Sequence, residues 1–370
     1  MVLCYILGME ASPFQHHGPL PGPQVRGRDE LVADLIARVT TRRPTALVGP
    51  RRYGKTSVLA RVASELSEVS AVMVDLYEVT SMATLVARFD AALAAAPASY
   101  RAVVTPMAAT FGINLGAVRA DLSRPPRQQP DAAVLFANLL EVLTSAAQRT
   151  PTMLVIDEFS SITRVDGAAG ALRTAVQHHV AELALVFAGS LPSVMRQLFA
   201  SRAEPFYAQA DLVEIGPLEL AAAVGIIADG FAATGRDAGL LPGRIHAFTA
   251  GHPHRMMELA DSCWRNTSVG STAQDEQWAA GLAEVQASAD TTMPHLFAHM
   301  QPSERDVLRV IAAGGALFGR DGRLLDLGTG AAQHARDTLR DSGDLITTEA
   351  GLQVTDPLLA DWIRRRLPIP

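Results

Sequence analysis

Gly49, Gly54, Lys55 and Thr56 stand in the spacing Gly-x-x-x-x-Gly-Lys-Thr, and each residue type suits one task in holding a polyphosphate. Glycines let a backbone turn tightly and present successive N–H groups to an anion. Lys55 would carry a mobile ammonium to the outer phosphates, and the Thr56 hydroxyl is a hard oxygen suited to Mg2+. Pro50, Arg51, Arg52 and Tyr53 complete the loop and Ser57 follows it, so Gly49 to Ser57 as a whole is the expected nucleotide cradle. Lys55 is the only lysine in the chain. Every other cation is arginine, so a position that wants a compact ammonium has received the one exception. Arg51 and Arg52 either reach toward phosphate or stand in solvent.

Two further groups have the right company. Asp157 and Glu158 close the apolar run Met153-Leu-Val-Ile156. At the carboxyl edge of a buried parallel strand, Asp157 would hold Mg2+ through water and Glu158 would orient or deprotonate an attacking water. The same pattern also ends strands that merely leave a core. Ser190 ends the run Leu183-Ala-Leu-Val-Phe-Ala-Gly189, where it would either approach the terminal phosphate or act as the N-cap of a helix over 191–200. The chemistry implied is attack of water on the γ-phosphate of ATP. Lys55, Asp157, Glu158 and Ser190 form the catalytic set, with Thr56 and Asp157 on the metal.

Positioning these groups takes an α/β core, a parallel-sheet P-loop NTPase with about five strands. Short apolar runs predict strands at 46–48, 71–76, 152–157, 183–190 and 210–215, with helical spacing at 31–40, 56–66, 82–95, 131–148 and 167–180 between them. Residues 97–130, with scattered proline and Arg124-Pro-Pro-Arg127, read as an insertion holding a small hairpin. Beyond residue 217 the pattern turns helical: 220–231, 242–250, 254–265, 272–288 and 292–300. The last part predicts helices at 303–313, capped by Ser303, and 331–342. A hairpin of 345–347 and 352–354 turning through Glu349-Ala-Gly351 follows, then a helix at 357–366, which together are the layout of a winged helix. The expected division is a flexible arm over 1–22, a core over 23–217, a helical lid over 218–300 and a C-terminal winged-helix domain over 301–370.

Bulk properties narrow the function classes. A chain of 370 residues with 48% hydrophobic residues and a net charge of −6 can bury large cores and has no overall attraction for nucleic acid or an acidic membrane. Cys4 and Cys263 stand far apart with no CxxC partner, which fits a reducing cytoplasm. Met1 to Met9 is too short to span a bilayer and reads as a disordered lead, or as an upstream start with Met9 the true beginning. His295 and His299, four apart, form either a metal pair or ordinary surface histidines. From residue 301 onward nine arginines face ten acids, and only Arg364-Arg-Arg366 makes a basic cluster, so intramolecular or protein contacts are favoured over DNA for the winged helix.

With these motifs placed, the chain resembles the archaeal-type ATPases of the STAND group, P-loop relatives of the AAA+ origin-recognition ATPases. The resemblance rests on Val25-Arg-Gly-Arg-Asp-Glu30, Gly49 to Ser57, Leu154-Val-Ile-Asp-Glu158, Ala188-Gly-Ser190 and Gly251-His-Pro253. It implies that Arg28 sits near the phosphates, that His252 and Pro253 of the lid lie against the nucleotide, and that the winged helix packs on the lid as a switch or binding module. Two departures stand out. Asp29 falls between Arg28 and the glutamate of the first box, and Tyr207-Ala-Gln209 stands where the family carries an arginine after Tyr-Gly, leaving Arg196 and Arg202 as stand-ins. The function implied is that of a slow Mg2+-dependent ATPase working as a nucleotide-driven switch that signals or loads an unidentified protein partner, with room for an oligomer. The alternative is an ATP-gated DNA-binding regulator or origin-type protein.

Overall fold

Short apolar runs bounded by turns form a five-stranded sheet in the computed structural model, which describes residues 10–122, 130–348 and 351–369. The chain divides into two units, one of residues 21–50 and 55–215, the other of 1–20, 51–54 and 216–370.

The first of these holds the sheet. Strands β1 (Thr45–Val48), β2 (Ser70–Asp75), β3 (Thr152–Asp157), β4 (Leu183–Gly189) and β5 (Asp211–Glu214) are ordered β2-β3-β4-β1-β5, and every pairing is parallel. Strands β1, β3 and β4 are buried along their whole length, which explains why they read as unbroken apolar runs: helices cover both faces. Those helices are α1 (Asp29–Thr40), α2 (Lys55–Glu65), α3 (Met82–Ala95), α4 (Ala98–Thr110), α5 (Val118–Leu122), α6 (Ala132–Ala147), α7 (Ala168–Val176) and α8 (Pro192–Ala200). Phe159, Phe187, Phe199 and Phe206 stack within this core, with Phe159 and Phe187 ring centroids 4.6 Å apart.

Residues 97–122 depart from expectation. No hairpin forms among the described residues of this segment; Tyr100, Val104 and Ala108 repeat at four-residue spacing and are fully buried along α4, a helical stripe that outweighs Pro106 inside it. Asp90 of α3 accepts hydrogen bonds from the backbone N–H groups of Gly116 (2.9 Å) and Val118 (3.3 Å), fixing the turn before α5. Arg124 to Arg127 lie outside the described residues, as do the Met1 to Met9 lead and the Glu349-Ala350 turn.

In the other unit, α9 (Leu220–Ala232), α10 (Leu241–Thr249), α11 (Pro253–Arg265) and α12 (Asp275–Ala298) precede α13 (Pro302–Ala312), α14 (Arg320–Leu324), α15 (Thr329–Asp341), the antiparallel hairpin β6 (Leu345–Thr348) and β7 (Gly351–Val354), and α16 (Pro357–Arg366). A single apolar cluster runs through it from Phe14 to Ile363. Residues 272–300 form one helix after the segment's start rather than two, because Gly281, Val285, Ala289, Met293 and Phe297 make an unbroken buried stripe past Pro294. The cap of α13 is Gln301, which exchanges hydrogen bonds with Glu304; Ser303 lies inside the first turn. Of the arm expected to be flexible over 1–22, the described part is anchored: Phe14 is 1% exposed, 5.6 Å from the Phe231 ring, and Glu10 pairs with Arg236 at 2.8 Å. No helix among the described residues is long and apolar enough to cross a membrane.

Candidate functional site

Strand β1 delivers the chain to Gly49, whose N–H donates to the carbonyl of Gly189 at 3.3 Å. A Cβ at Gly49 would stand 2.6 Å from the carbonyl oxygen of Ile215, so only glycine fits this exit. Arg52 (φ 66°) and Gly54 (φ 90°) then turn the loop through the left-handed region. Gly54 is needed for that conformation and not for space, since nothing lies within 4 Å of where a Cβ would be. The Lys55 ammonium and the Thr56 and Ser57 hydroxyls that follow Gly54 are a donor set that fits a polyphosphate.

Lys55 opens α2 and is 6% exposed. Its Nζ donates to the carbonyls of Gly49 (2.7 Å) and Pro50 (2.9 Å), folding the side chain back over its own loop. Thr56 follows with its Oγ1 donating to Asp157 Oδ2 at 2.5 Å. Two hard oxygens from β3 and α2 therefore converge, a donor pair that suits Mg2+ completed by water and phosphate. Ser57 is buried.

Strand β4 lies between β1 and β3, so Ser190, just past its end, stands between the loop and the acid pair. The Ser190 hydroxyl, 1% exposed, donates to Glu158 Oε2 at 2.7 Å. Its alternative as an N-cap is not what the structure holds: the cap of α8 is Leu191, with no side-chain bond. Glu158 is left-handed (φ 50°), a conformation that costs a non-glycine residue about 1 kcal/mol. Its N–H donates to Asp157 Oδ1 at 2.9 Å. Asp157, Glu158, Ser190, Lys55 and Thr56 are thus gathered at the carboxyl edge of the sheet, where ligands of open α/β folds bind.

Arg28 lies half-buried at the boundary of α1. The cation that ties its box to α2 is Arg61, which pairs with Asp29 at 2.7 Å and donates to the Val25 carbonyl at 3.1 Å. Of the two stand-in arginines, Arg196 is paired with Glu214 and Arg202 is exposed.

The loop tip, residues 51–54, is packed in the other unit. Tyr53 is buried with its ring edge-on to His252, centroids 4.8 Å apart. Arg52 Nη1 lies 2.9 Å from His254 Nε2, which must accept and is therefore unprotonated there. Arg51 is exposed. His252 caps α11 by accepting from the Arg255 N–H at 3.4 Å, and Pro253 takes the first helical position. Burial, with Arg255 and Arg52 nearby, lowers the His252 pKa to about 4. Burial and the Arg52 guanidinium lower that of His254 to about 3.

Arg255 in turn clamps Asp356, the N-cap of α16, with Nε 2.9 Å from Oδ1. Burial alone would raise the Asp356 carboxyl, but the guanidinium overrides it and holds the group below the usual range. The two residues are 101 positions apart, and no local pattern signals the pair. His299 Nδ1 sits 2.6 Å from the His295 carbonyl and is committed to backbone; no cluster of three metal-ligating side chains occurs among the described residues. The basic cluster is also engaged: Arg365 and Arg366 both reach Asp290, at 3.2 and 2.5 Å, and Arg364 donates to the Ala312 carbonyl at 3.2 Å.

Residues 37–195 match the family model described as an AAA domain. A Walker-type ATPase of Pyrococcus abyssi superposes with a TM-score of 0.72, at 16% identity over 95% of this chain and 99% of that one. The core has the P-loop NTPase fold. The ORC2 protein of Aeropyrum pernix, solved in ADPNP and ADP complexes, is similar in fold to this P-loop chain at a TM-score of 0.55 and 14% identity, covering 95% and 96% of the two chains. None of the curated proteins matches the sequence.

Proposed function

We propose that the chain binds ATP at Gly49 to Ser57 and hydrolyses it slowly, working as a nucleotide-driven switch for a protein partner in the cytoplasm. The observation that carries this reading is the Thr56–Asp157 contact of 2.5 Å beside a buried Lys55, since it joins the loop to the acid pair through the two groups a phosphate-bound cation would need. Thr56 and Asp157 would hold Mg2+, which when bound screens the charge on the phosphate oxygens. Lys55 exchanges the Gly49 and Pro50 carbonyls for phosphate oxygens. Glu158 accepts the proton of the attacking water, and Ser190 holds that carboxylate in place through their 2.7 Å hydrogen bond. Arg28, His252 and Pro253 belong to this reading as nucleotide contacts, residues 218–300 as the lid segment and 301–370 as the winged helix.

Slow turnover is supported by the absence of an arginine at Gln209 and by the engagement of Arg196 with Glu214. The alternative, ATP-gated DNA binding, has less support because Arg365 and Arg366 are spent on Asp290. Glu158→Gln separates binding from chemistry: calorimetry should give an unchanged ATP affinity while phosphate release stops. Release at the wild-type rate would remove Glu158 from the role of base.

A further inference from the structure

A groove of about 780 Å3 opens in the C-terminal unit, walled by α10, α13, α15, α16 and the β6–β7 hairpin. Its size lies within the roughly 300–1,000 Å3 common for small-molecule sites. The lining is mixed: Phe248, Ile311, Leu317 and Leu352 supply apolar surface, three of the four only partly buried, beside the polar Thr347 and Gln353. Around them stand Arg336, Arg340 and Arg364, and no aspartate or glutamate lines the groove.

The three cations are not equivalent. Arg336 is paired with Asp337 at 2.7 Å and lies 5.9 Å over the Phe318 ring. Arg364 is oriented by its bond to the Ala312 carbonyl. Arg340 is exposed on α15 and has no ion-pair partner among the described residues. A hollow of mixed lining, with apolar side chains and a guanidinium that has no ion pair among the described residues, is complementary to an anion carried on a hydrophobic body. Arginine suits a carboxylate or sulfonate through its planar fork.

We propose that this groove binds a small amphipathic anion, a carboxylate or sulfonate on an alkyl or aryl body. The inference is independent of the nucleotide reading. A nucleic-acid backbone is a poorer fit, because phosphate readers present a stripe of free cations, and here Arg336 is paired with Asp337 and Arg364 is tied to a carbonyl beside apolar lining residues.

The test uses the full chain with 8-anilinonaphthalene-1-sulfonate as fluorescent probe and decanoate as competitor. Saturable single-site binding is expected, displaced by decanoate and not by decanol or a duplex DNA of about 20 base pairs. Arg340→Glu should weaken the probe about tenfold or more, the scale of a lost charge-assisted contact made repulsive. Ala247→Trp, at an exposed groove position on α10, should block it. Arg340 is exposed, so its variant keeps the test informative if the tryptophan disturbs folding. Binding unchanged in both variants would place the probe elsewhere and overturn the proposal. Displacement by decanol as strong as by decanoate would overturn recognition of the charge, and displacement by duplex DNA alone would transfer the surface to nucleic acid.

Discussion

Replacing Lys55 with alanine probes the loop most directly. The ammonium lies 2.7 and 2.9 Å from two carbonyls, so contact with phosphate would exchange ion–dipole contacts for ion–ion contacts. A unit charge pair at about 4 Å in an effective dielectric of about 20 is worth about 4 kcal/mol. Giving up the carbonyls returns about 1 kcal/mol of that. The remaining 3 kcal/mol corresponds to an affinity loss of about 150-fold. A second consequence acts on folding, because Lys55→Ala leaves the Gly49 and Pro50 carbonyls buried without their donor, at about 1–3 kcal/mol. Calorimetry with ATP and Mg2+, run at a temperature where circular dichroism shows the variant folded, separates the two. An ATP affinity within about threefold of wild type would refute the assignment of Lys55, whatever happened to the melting temperature.

Ser190→Ala removes the hydrogen bond to Glu158 and should lower kcat about tenfold, the worth of one positioning contact, with ATP affinity intact; an unchanged kcat would return Ser190 to a packing role. His252 and His254 have folded pKa values of about 4 and about 3 against 6.5 ordinarily, so the unfolded chain binds more protons below pH 6.5. The stability their neutral forms contribute is full above pH 6.5 and is lost as pH falls toward 4 and 3, by about 1.4 kcal/mol per pH unit for each ring. Melting temperatures from pH 7 to 4 should therefore fall less steeply in His252→Asn, which keeps the capping acceptor, and parallel curves would contradict this. Phe14→Ala should destabilise the C-terminal unit by about 3 kcal/mol through the cavity left against Phe231 and Gly230, read as a lower melting temperature; no shift would mean the arm contributes nothing to that core.

The site was legible in sequence to the extent that its chemistry is local. Lys55, Thr56, Asp157 and Glu158 are announced by residue type at the end of apolar runs, and the burial of β1, β3 and β4 on both faces accounts for those runs. The hairpin expected within 97–130 does not form over 97–122, because the buried stripe Tyr100, Val104 and Ala108 overrides the proline and glycine punctuation there. Ser303 and Ser190 look like caps by type, yet Gln301 caps one helix and Glu158 takes the hydroxyl of the other serine; a cap is decided by backbone geometry that composition does not carry. Contacts such as Arg255–Asp356 and Tyr53–His252 join residues far apart in the chain, and nothing at either position alone foretells its partner.

The division of the phosphate loop between the two units bears on how this protein can be dissected. A fragment ending at Ile215 would keep Arg51 to Gly54 but lose the residues among which they pack, stripping Tyr53 of the His252 ring beside it. The complementary fragment beginning at Gly216 would retain His252 and His254 without the aromatic and the guanidinium that meet them. Neither piece is a module in the sense a cloning boundary assumes.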